Sequence, residues 1–579
     1  MKERIYKGCE RIVEAKKFNN LKEMVENTKA EYPDEIAFRF KNDETKEITT
    51  MLYKDYVEEI EAFGTALISI GLKDKRIGLI SENRYEWEAS YLAVTTGVGI
   101  IVPLDKSLPD NEILSLIERS EIEALIYSSK YDEIMKQAKE NKIGKVKFFI
   151  SMDSAEKKEG MYSFKEQVQL GKDLIKNGAR SYLDAEIDND KMAIMLFTSG
   201  TTSQSKAVML SQTNICANIY DIASVFDITS DDTFLSFLPL HHVFECTVGF
   251  LYPFSKGASI GFCKGIRHIA ENIKDYEVSA MISVPILYDA MYKKLMQAVE
   301  KQGKMEKVQF GMTISKILRF FGIDARRKIF KEIIDSLGGR LRLCVAGGAA
   351  FGPNTEKGFN SIGIECFQGY GLTETSPVIA AEHPGCVREG SIGKTFPSLE
   401  TKIIDPDELG IGELAVRGPS VMLGYYGNVD SPFTEDGEWL LTGDLGYIDK
   451  DGFIFITGRK KSVIVLKNGK NIYPEEVEQL LNDIPGVKES FVYGKPEKDD
   501  EVDLKICAEI VYDKDKVKEV YGVENTEDIK AKIWEKVKEK NRLMPTYKYV
   551  KEICITEEEL IKTTTLKIKR FEEIKKVIK

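Results

Sequence analysis

The amino-acid sequence predicts an α/β fold: a large N-terminal region of parallel sheets flanked by helices, a β-barrel-like stretch toward its end, and a small α+β C-terminal region. Three observations lead there. Up to Gly410, short apolar runs alternate with amphipathic segments, and strand–helix–strand alternation of this kind builds largely parallel sheets. From Gly410 onward, short strands follow one another between glycine turns, as in a barrel or meander. After Arg459-Lys460-Lys461 the charge density rises and apolar runs restart, which divides the chain into residues 1–460 and 461–579.

The elements follow in order. Residues 53–67 and 111–118 carry apolar side chains at helical spacing, whereas Arg76–Ile80, Ala124–Tyr127 and residues 146–150 read as buried strands. Residues 193–197 and 341–345 are further buried-strand signals, and residues 412–418 and 452–456 are the glycine-closed strands. No repeat or low-complexity tract interrupts this order.

Composition narrows the class. A chain of 579 residues is too long for one core. It has 43% apolar and 30% charged residues, as an ordinary globular protein does. Its net charge of −11 argues against a general nucleic-acid binder. Residues 1–20 are charged throughout and lack the apolar core of a secretory signal. The longest apolar run, residues 91–104, is too short to span a bilayer. Nine scattered cysteines with no CxxC pair predict reduced thiols rather than a disulfide framework or a cysteine-based zinc site. The expected compartment is the cytoplasm.

The strand at 193–197 runs into Thr198-Ser199-Gly200-Thr201-Thr202-Ser203-Gln204-Ser205-Lys206. The backbone amides and hydroxyls of such a turn can donate to phosphate oxygens, and the lysine adds a point charge. GxxxxGK[ST] is absent here, which disfavours a P-loop ATPase. Taken alone, the segment also fits an ordinary polar turn.

Later segments add Leu238-Pro239-Leu240-His241-His242, Gly369-Tyr370-Gly371-Leu372-Thr373-Glu374-Thr375, Thr442-Gly443-Asp444, Gly458-Arg459-Lys460-Lys461 and Lys562-Thr563-Thr564-Thr565-Leu566-Lys567. With the phosphate loop, which is similar to TSGTTGxPKG, these six matches in one order resemble the superfamily of acyl-CoA synthetases, adenylation domains and luciferases. The resemblance runs from about Asn27 to the C-terminus. It implies an enzyme that activates a carboxylate with ATP as an acyl adenylate and hands the acyl group to coenzyme A.

The resemblance also implies roles. Lys567, Lys206, Thr201 and Glu374 would be catalytic, with Thr201 and Glu374 holding Mg2+. The nucleotide would lie against Thr198, Ser199, Gly200, Thr201, Thr202, Lys206, Gly347, Gly348, Ala349, Gln368, Gly369, Tyr370, Gly371, Thr373, Asp444, Arg459 and Lys567. Gly347 and Gly348 lack side chains, so backbone there can approach a flat ring. His242, Val243 and Phe244 would line the acyl pocket, and Lys467, Asn468 and Gly469 would meet coenzyme A. Lys461 would be the hinge about which a mobile C-terminal domain exchanges two poses. Lys567 matters most in the first step, because it can neutralise a carboxylate approaching an anionic α-phosphate.

Residues 284–299 and 301–327 resemble the extra helical region of the long-chain branch, implying a medium- or long-chain fatty acid. The implied partners are small molecules, with no nucleic acid and no transmembrane segment; peripheral membrane contact and a homodimer stay open. Ser203, Ser205, Ala207, Gln212 and Leu566 depart from the family pattern. A serine forced to positive φ costs on the order of 1 kcal/mol. Two other outcomes stay open: transfer to a carrier-protein thiol, and a non-catalytic nucleotide- or lipid-binding relative.

Overall fold

The computed structural model describes residues 4–42, 45–154, 161–198, 205–349, 351–427, 429–467, 470–497, 500–562 and 568–577. Two large sheets carry the N-terminal part. The first has eight strands around Arg76–Ile80, which is flanked in parallel by Ile100–Pro103 and Ala124–Tyr127. Phe148–Ser151 and Tyr162–Ser163 extend one side. On the other side Met192–Thr198 runs parallel to Ile100–Pro103, then Lys206–Ser211 and Gly424–Tyr425 close the edge antiparallel. Ala124–Tyr127 is buried along its whole length, as a parallel strand covered on both faces must be.

The second sheet has nine strands with a parallel centre made of Ser259–Phe262, Thr233–Ser236, Ala280–Ser283, Leu343–Ala346 and Glu365–Gly371. The helix Tyr53–Ser69, ten of whose residues are buried, packs against the helix Phe164–Lys176. The two helices meet backbone to backbone: a Cβ on Gly171 would lie 1.8 Å from the Ala62 carbonyl oxygen.

A five-stranded antiparallel sheet follows, ordered Tyr6–Lys7, Glu400–Ile404, Gly412–Arg417, Leu440–Ile448 and Ile454–Arg459. It is the expected meander, extended at its edge by an N-terminal strand that nothing in the sequence announced. Toward the C-terminus, Val487–Glu497, Asp500–Tyr512 and Glu552–Thr556 form a three-stranded sheet. Its core includes Val477, Leu481, Ile506, Ile510, Ile533 and Val537, from this sheet and the helices Pro474–Asn482 and Thr526–Asn541.

The fold class is as expected, and several boundaries differ for local reasons. The apolar run 91–104 splits into the end of the helix Tyr85–Ala93, a π-turn and the strand Ile100–Pro103. Gly99 permits the split, because a Cβ there would meet the Lys75 carbonyl oxygen at 2.3 Å. Residues 452–456 start in a turn at Gly452, with φ +88°, so the strand begins at Ile454. The strand expected over 146–150 begins at Phe148, after the exposed Lys147.

Candidate active site

The phosphate-type loop joins two strands that pair antiparallel as a hairpin. Thr198 ends Met192–Thr198, Lys206 begins Lys206–Ser211, and the two residues face each other in register. Ser199, Gly200, Thr201 and Thr202 lie outside the described residues. Ser211 caps the helix Gln212–Ala223 in a capping box with Asn214. The Asn214 amide also donates to the Pro419 and Val421 carbonyls, both at 2.8 Å, which ties the segment before Tyr425 to this helix.

That tie matters for Glu374. The residue stands in the 3-10 turn Thr373–Thr375, and its carbonyl accepts from Met422 N at 2.8 Å. Its carboxylate oxygen Oε1 accepts from the Tyr425 hydroxyl at 2.7 Å. Lys206 Nζ lies over the Tyr425 ring, 4.5 Å from its centroid. A lysine, a tyrosine and a carboxylate from three separate segments therefore converge at the mouth of the hairpin. Burial, and then the Glu374 charge, raise the Tyr425 pKa, so its hydroxyl stays a donor. Sequence reasoning named Lys206 and Glu374 but missed Tyr425, which lies in no recognised motif.

A second cluster sits where the nine-stranded sheet meets the meander. The strand Glu365–Gly371 carries Gln368, Gly369, Tyr370 and Gly371. The Tyr370 hydroxyl donates to Asp444 Oδ2 at 2.6 Å, and Arg459 Nε lies 2.8 Å from Asp444 Oδ1. Asp444 and Arg459 pair directly across Leu440–Ile448 and Ile454–Arg459, so the meander's register sets their spacing. Asp444 is buried and Arg459 is partly exposed, an arrangement in which a fixed acceptor pairs with a reachable cation. The Gln368 amide donates to the Ser391 carbonyl at 2.8 Å and acts as a strut.

Gly347 and Gly348 follow the strand Leu343–Ala346, which starts two residues later than the predicted run. A Cβ on Gly347 would come within 2.8 Å of the Phe244 ring. The flat ring that Gly347 admits in this structure is thus the chain's own Phe244. Gly348 has φ +85°, a left-handed conformation that favours glycine, and both it and Ala349 are exposed.

The same contact joins the expected acyl residues to the segment expected to meet the nucleotide. Val243 is buried, and His242 and Phe244 are half-buried. The His241 and His242 rings lie 4.2 Å apart, and His241 Nε2 is 3.1 Å from Asp105 Oδ1. Gln212, which stands where the family pattern has histidine, accepts from Leu21 N at 2.9 Å and donates to the Thr95 carbonyl at 2.7 Å. It serves as a buried brace.

Lys461 is exposed in the 3-10 turn Lys460–Ser462, directly after Arg459. Lys467 is exposed beyond the strand Ile464–Val465, and Asn468 and Gly469 lie outside the described residues. Lys567 also lies outside them. The flanks of its segment are held by a bridge between Lys562 and Ile568, by Lys569 N donating to the Ile561 carbonyl at 2.8 Å, and by the Lys562–Glu489 ion pair at 2.8 Å.

A family model described as AMP-binding enzyme matches residues 25–426. The chain is 30% identical over 487 residues to human long-chain-fatty-acid–CoA ligase 1, covering 76% of this chain and 67% of that protein. It is 27% identical over 563 residues to a chloroplastic long-chain-fatty-acid–[acyl-carrier-protein] ligase of Arabidopsis thaliana, covering 84% of this chain and 76% of that protein. Among solved structures, an anthranilate CoA ligase in complex with anthranoyl-AMP superposes with a TM-score of 0.75 at 21% identity, over 97% of this chain and 98% of that one. ATP-bound MatB from Rhodopseudomonas palustris gives 0.73 at 21% identity, over 97% and 100%.

Proposed function

This chain belongs to the AMP-binding enzymes, and from that premise we propose that it activates a medium- or long-chain fatty acid with ATP and transfers the acyl group to coenzyme A. The observation that carries the reading is the convergence of Lys206, Tyr425 and Glu374 at the hairpin mouth. Its long-chain ligase relatives support the substrate class.

In the first half-reaction a carboxylate oxygen of the fatty acid attacks the α-phosphorus of ATP. A new P–O bond forms as the bond to pyrophosphate breaks. Lys206 offsets charge on the phosphates, and Lys567 neutralises the two anions as they meet. Asp444 and Arg459 hold the ribose, and Tyr370 with the exposed backbone of residues 348–349 flanks the base. In the second half-reaction the coenzyme A sulfur attacks the acyl carbon, the bond to the AMP phosphate oxygen breaks so that AMP leaves, and the thiol proton passes to solvent. Residues 1–460 form the large unit, and residues 461–579 pivot at Lys461 to bring Lys467, Asn468 and Gly469 toward coenzyme A.

Glu374 fits Mg2+. It offers a hard carboxylate held in place through Oε1 by the Tyr425 hydroxyl, in a half-exposed position where phosphates and water can complete the shell. Thr201 would add a hydroxyl. When bound, the ion supplies charge neutralisation on the phosphate oxygens.

The test is AMP release across a chain-length series of carboxylic acids with coenzyme A present. A maximum at medium or long chains is expected, and release that ignores chain length would overturn the substrate assignment. A second acceptor, a carrier-protein thiol, is favoured by the Arabidopsis relative. Thioester formation on holo carrier protein, compared with coenzyme A, separates the two.

Among the described residues no helix is long and apolar enough to cross a membrane. Peripheral contact with an anionic lipid surface is favoured by the helix Met305–Phe320, where Phe310, Ile317 and Phe320 are 68%, 54% and 86% exposed. Their spacing puts them on one face, with Lys307 and Lys316 at its sides. The chain would work in the cytoplasm, docking there transiently. Sedimentation with phosphatidylglycerol vesicles should fall in Phe320→Asp, and unchanged binding would remove this face from the account.

A further inference from the structure

Strand Ile100–Pro103 of the eight-stranded sheet leads into Asp105, and strand Thr233–Ser236 of the nine-stranded sheet leads toward His241 and His242. The three side chains meet between the two sheets. One potential ligand atom from each lies within 4.8 Å of the others. We propose that Asp105, His241 and His242 form a site for one divalent transition-metal ion of the zinc or cobalt class, separate from the Mg2+ assigned to Glu374.

The geometry is close to what such an ion requires. Zinc takes imidazole nitrogen and carboxylate oxygen at about 2.0–2.2 Å, so neighbouring ligand atoms of a tetrahedron stand roughly 3.3 Å apart. His241 Nε2 and Asp105 Oδ1, at 3.1 Å, already meet that separation. Bringing in the third atom from at most 4.8 Å asks for a side-chain adjustment, with no movement of either sheet. Three protein ligands leave a coordination position for water or a substrate oxygen.

The donor set selects the ion. Two imidazoles and one carboxylate suit zinc, cobalt and their neighbours, whereas Mg2+ prefers an all-oxygen shell. The His242 ring stands 4.2 Å from the His241 ring, so a donor from each of the three side chains is within reach of one ion. The ammonium next in sequence does not compete for the position. Lys106 Nζ donates to Asn83 Oδ1 at 3.2 Å, and Asn83 is anchored by its amide to Ser236 Oγ and the Leu238 carbonyl.

An ion here would tie the two large sheets together one residue before Val243 and Phe244. Since the Phe244 ring covers Gly347, the tie reaches the wall shared by the acyl and nucleotide segments. The effect is a stiffer pocket and a metal-dependent gain in thermal stability.

The experiment uses the full, untagged, chelator-treated protein titrated with Co2+, followed by visible d–d absorption and by thermal midpoint. One equivalent per chain with a raised midpoint is expected, unaffected by excess Mg2+. Asp105→Asn and His241→Ala should each weaken Co2+ binding by about a hundredfold, since even indirect partners of metal ligands are worth ten- to a hundredfold. His268→Ala and His383→Ala, the chain's other two histidines, should bind as the parent does. Metal-free midpoints report whether each variant folds, and His242→Gln provides a third ligand change if one does not. Equal Co2+ binding by the parent and all three ligand variants, or no d–d band with excess Co2+, would overturn the proposal.

Discussion

The Tyr425 hydroxyl donates to Glu374 across 51 residues of sequence, at 2.7 Å, while Lys206 rests on the face of the same ring. One side chain thus fixes both the carboxylate assigned to Mg2+ and the cation assigned to phosphate. Tyr425→Phe keeps the ring and removes the donor. A hydrogen bond to a charged group is worth about 1.5–3 kcal/mol, so adenylate formation should fall roughly ten- to a hundredfold. The loss should appear mainly as a higher Mg2+ requirement in fatty-acid-dependent pyrophosphate exchange. An unchanged Mg2+ titration would remove Tyr425 from the site.

Asp444 makes a second test because its carboxylate is already occupied by Tyr370 and Arg459. Asp444→Asn preserves shape but replaces one acceptor oxygen with a donor that faces either a hydroxyl or a guanidinium. The KM for ATP should rise by on the order of tenfold or more, with a smaller change in the KM for fatty acid. Equal changes in both would mean that the residue supports the fold rather than the nucleotide.

The legible and illegible parts of this molecule divide by range. Arg76–Ile80 and Ala124–Tyr127 were readable to the residue, because strands buried on both faces are uninterrupted apolar runs. Lys206, Glu374, Asp444 and Arg459 could be singled out as candidates because they sit in compact motifs. Tyr425 was not: its strand is only two residues long, and its role comes from antiparallel pairing with Val208. The meeting of Asp105 with His241 was equally hidden, since it depends on how two sheets stack. The edge strand Tyr6–Lys7 escaped because two residues carry no periodicity.

Glu245 directly follows Phe244 and is wholly buried. Its Oε1 accepts from Ser236 Oγ at 2.7 Å. Burial pushes its pKa up to about 8, while Ser236 and Lys106 act against that rise. The buried Glu88 is likewise raised well above the carboxylate range, first by burial and then by the Glu245 charge. A carboxyl protonated in the folded chain but ionised in the unfolded one binds the extra proton when folded, so stability falls as pH rises between about 4.5 and 8. Glu245→Gln keeps an acceptor for Ser236 and cannot ionise. Urea midpoints taken across that range should therefore decline less steeply in the variant, and parallel declines would contradict the assignment.

Lys567 separates the two half-reactions most sharply. Only adenylate formation brings two anions together, so Lys567→Ala should remove the cation where it is needed and leave thioester formation largely intact. The expected loss in the first step is at least about a hundredfold, the scale of deleting one preorganised electrostatic group from an active site. Pyrophosphate exchange reads the first step alone, and conversion of supplied acyl adenylate with coenzyme A reads the second. Lys569→Ala serves as the comparison, because its ammonium is engaged by Glu572 at 3.3 Å on the chain's own helix and should change neither step. If both steps fell together in Lys567→Ala, the residue would be holding the C-terminal unit in place, and the charge-neutralising role would have to pass to another cation.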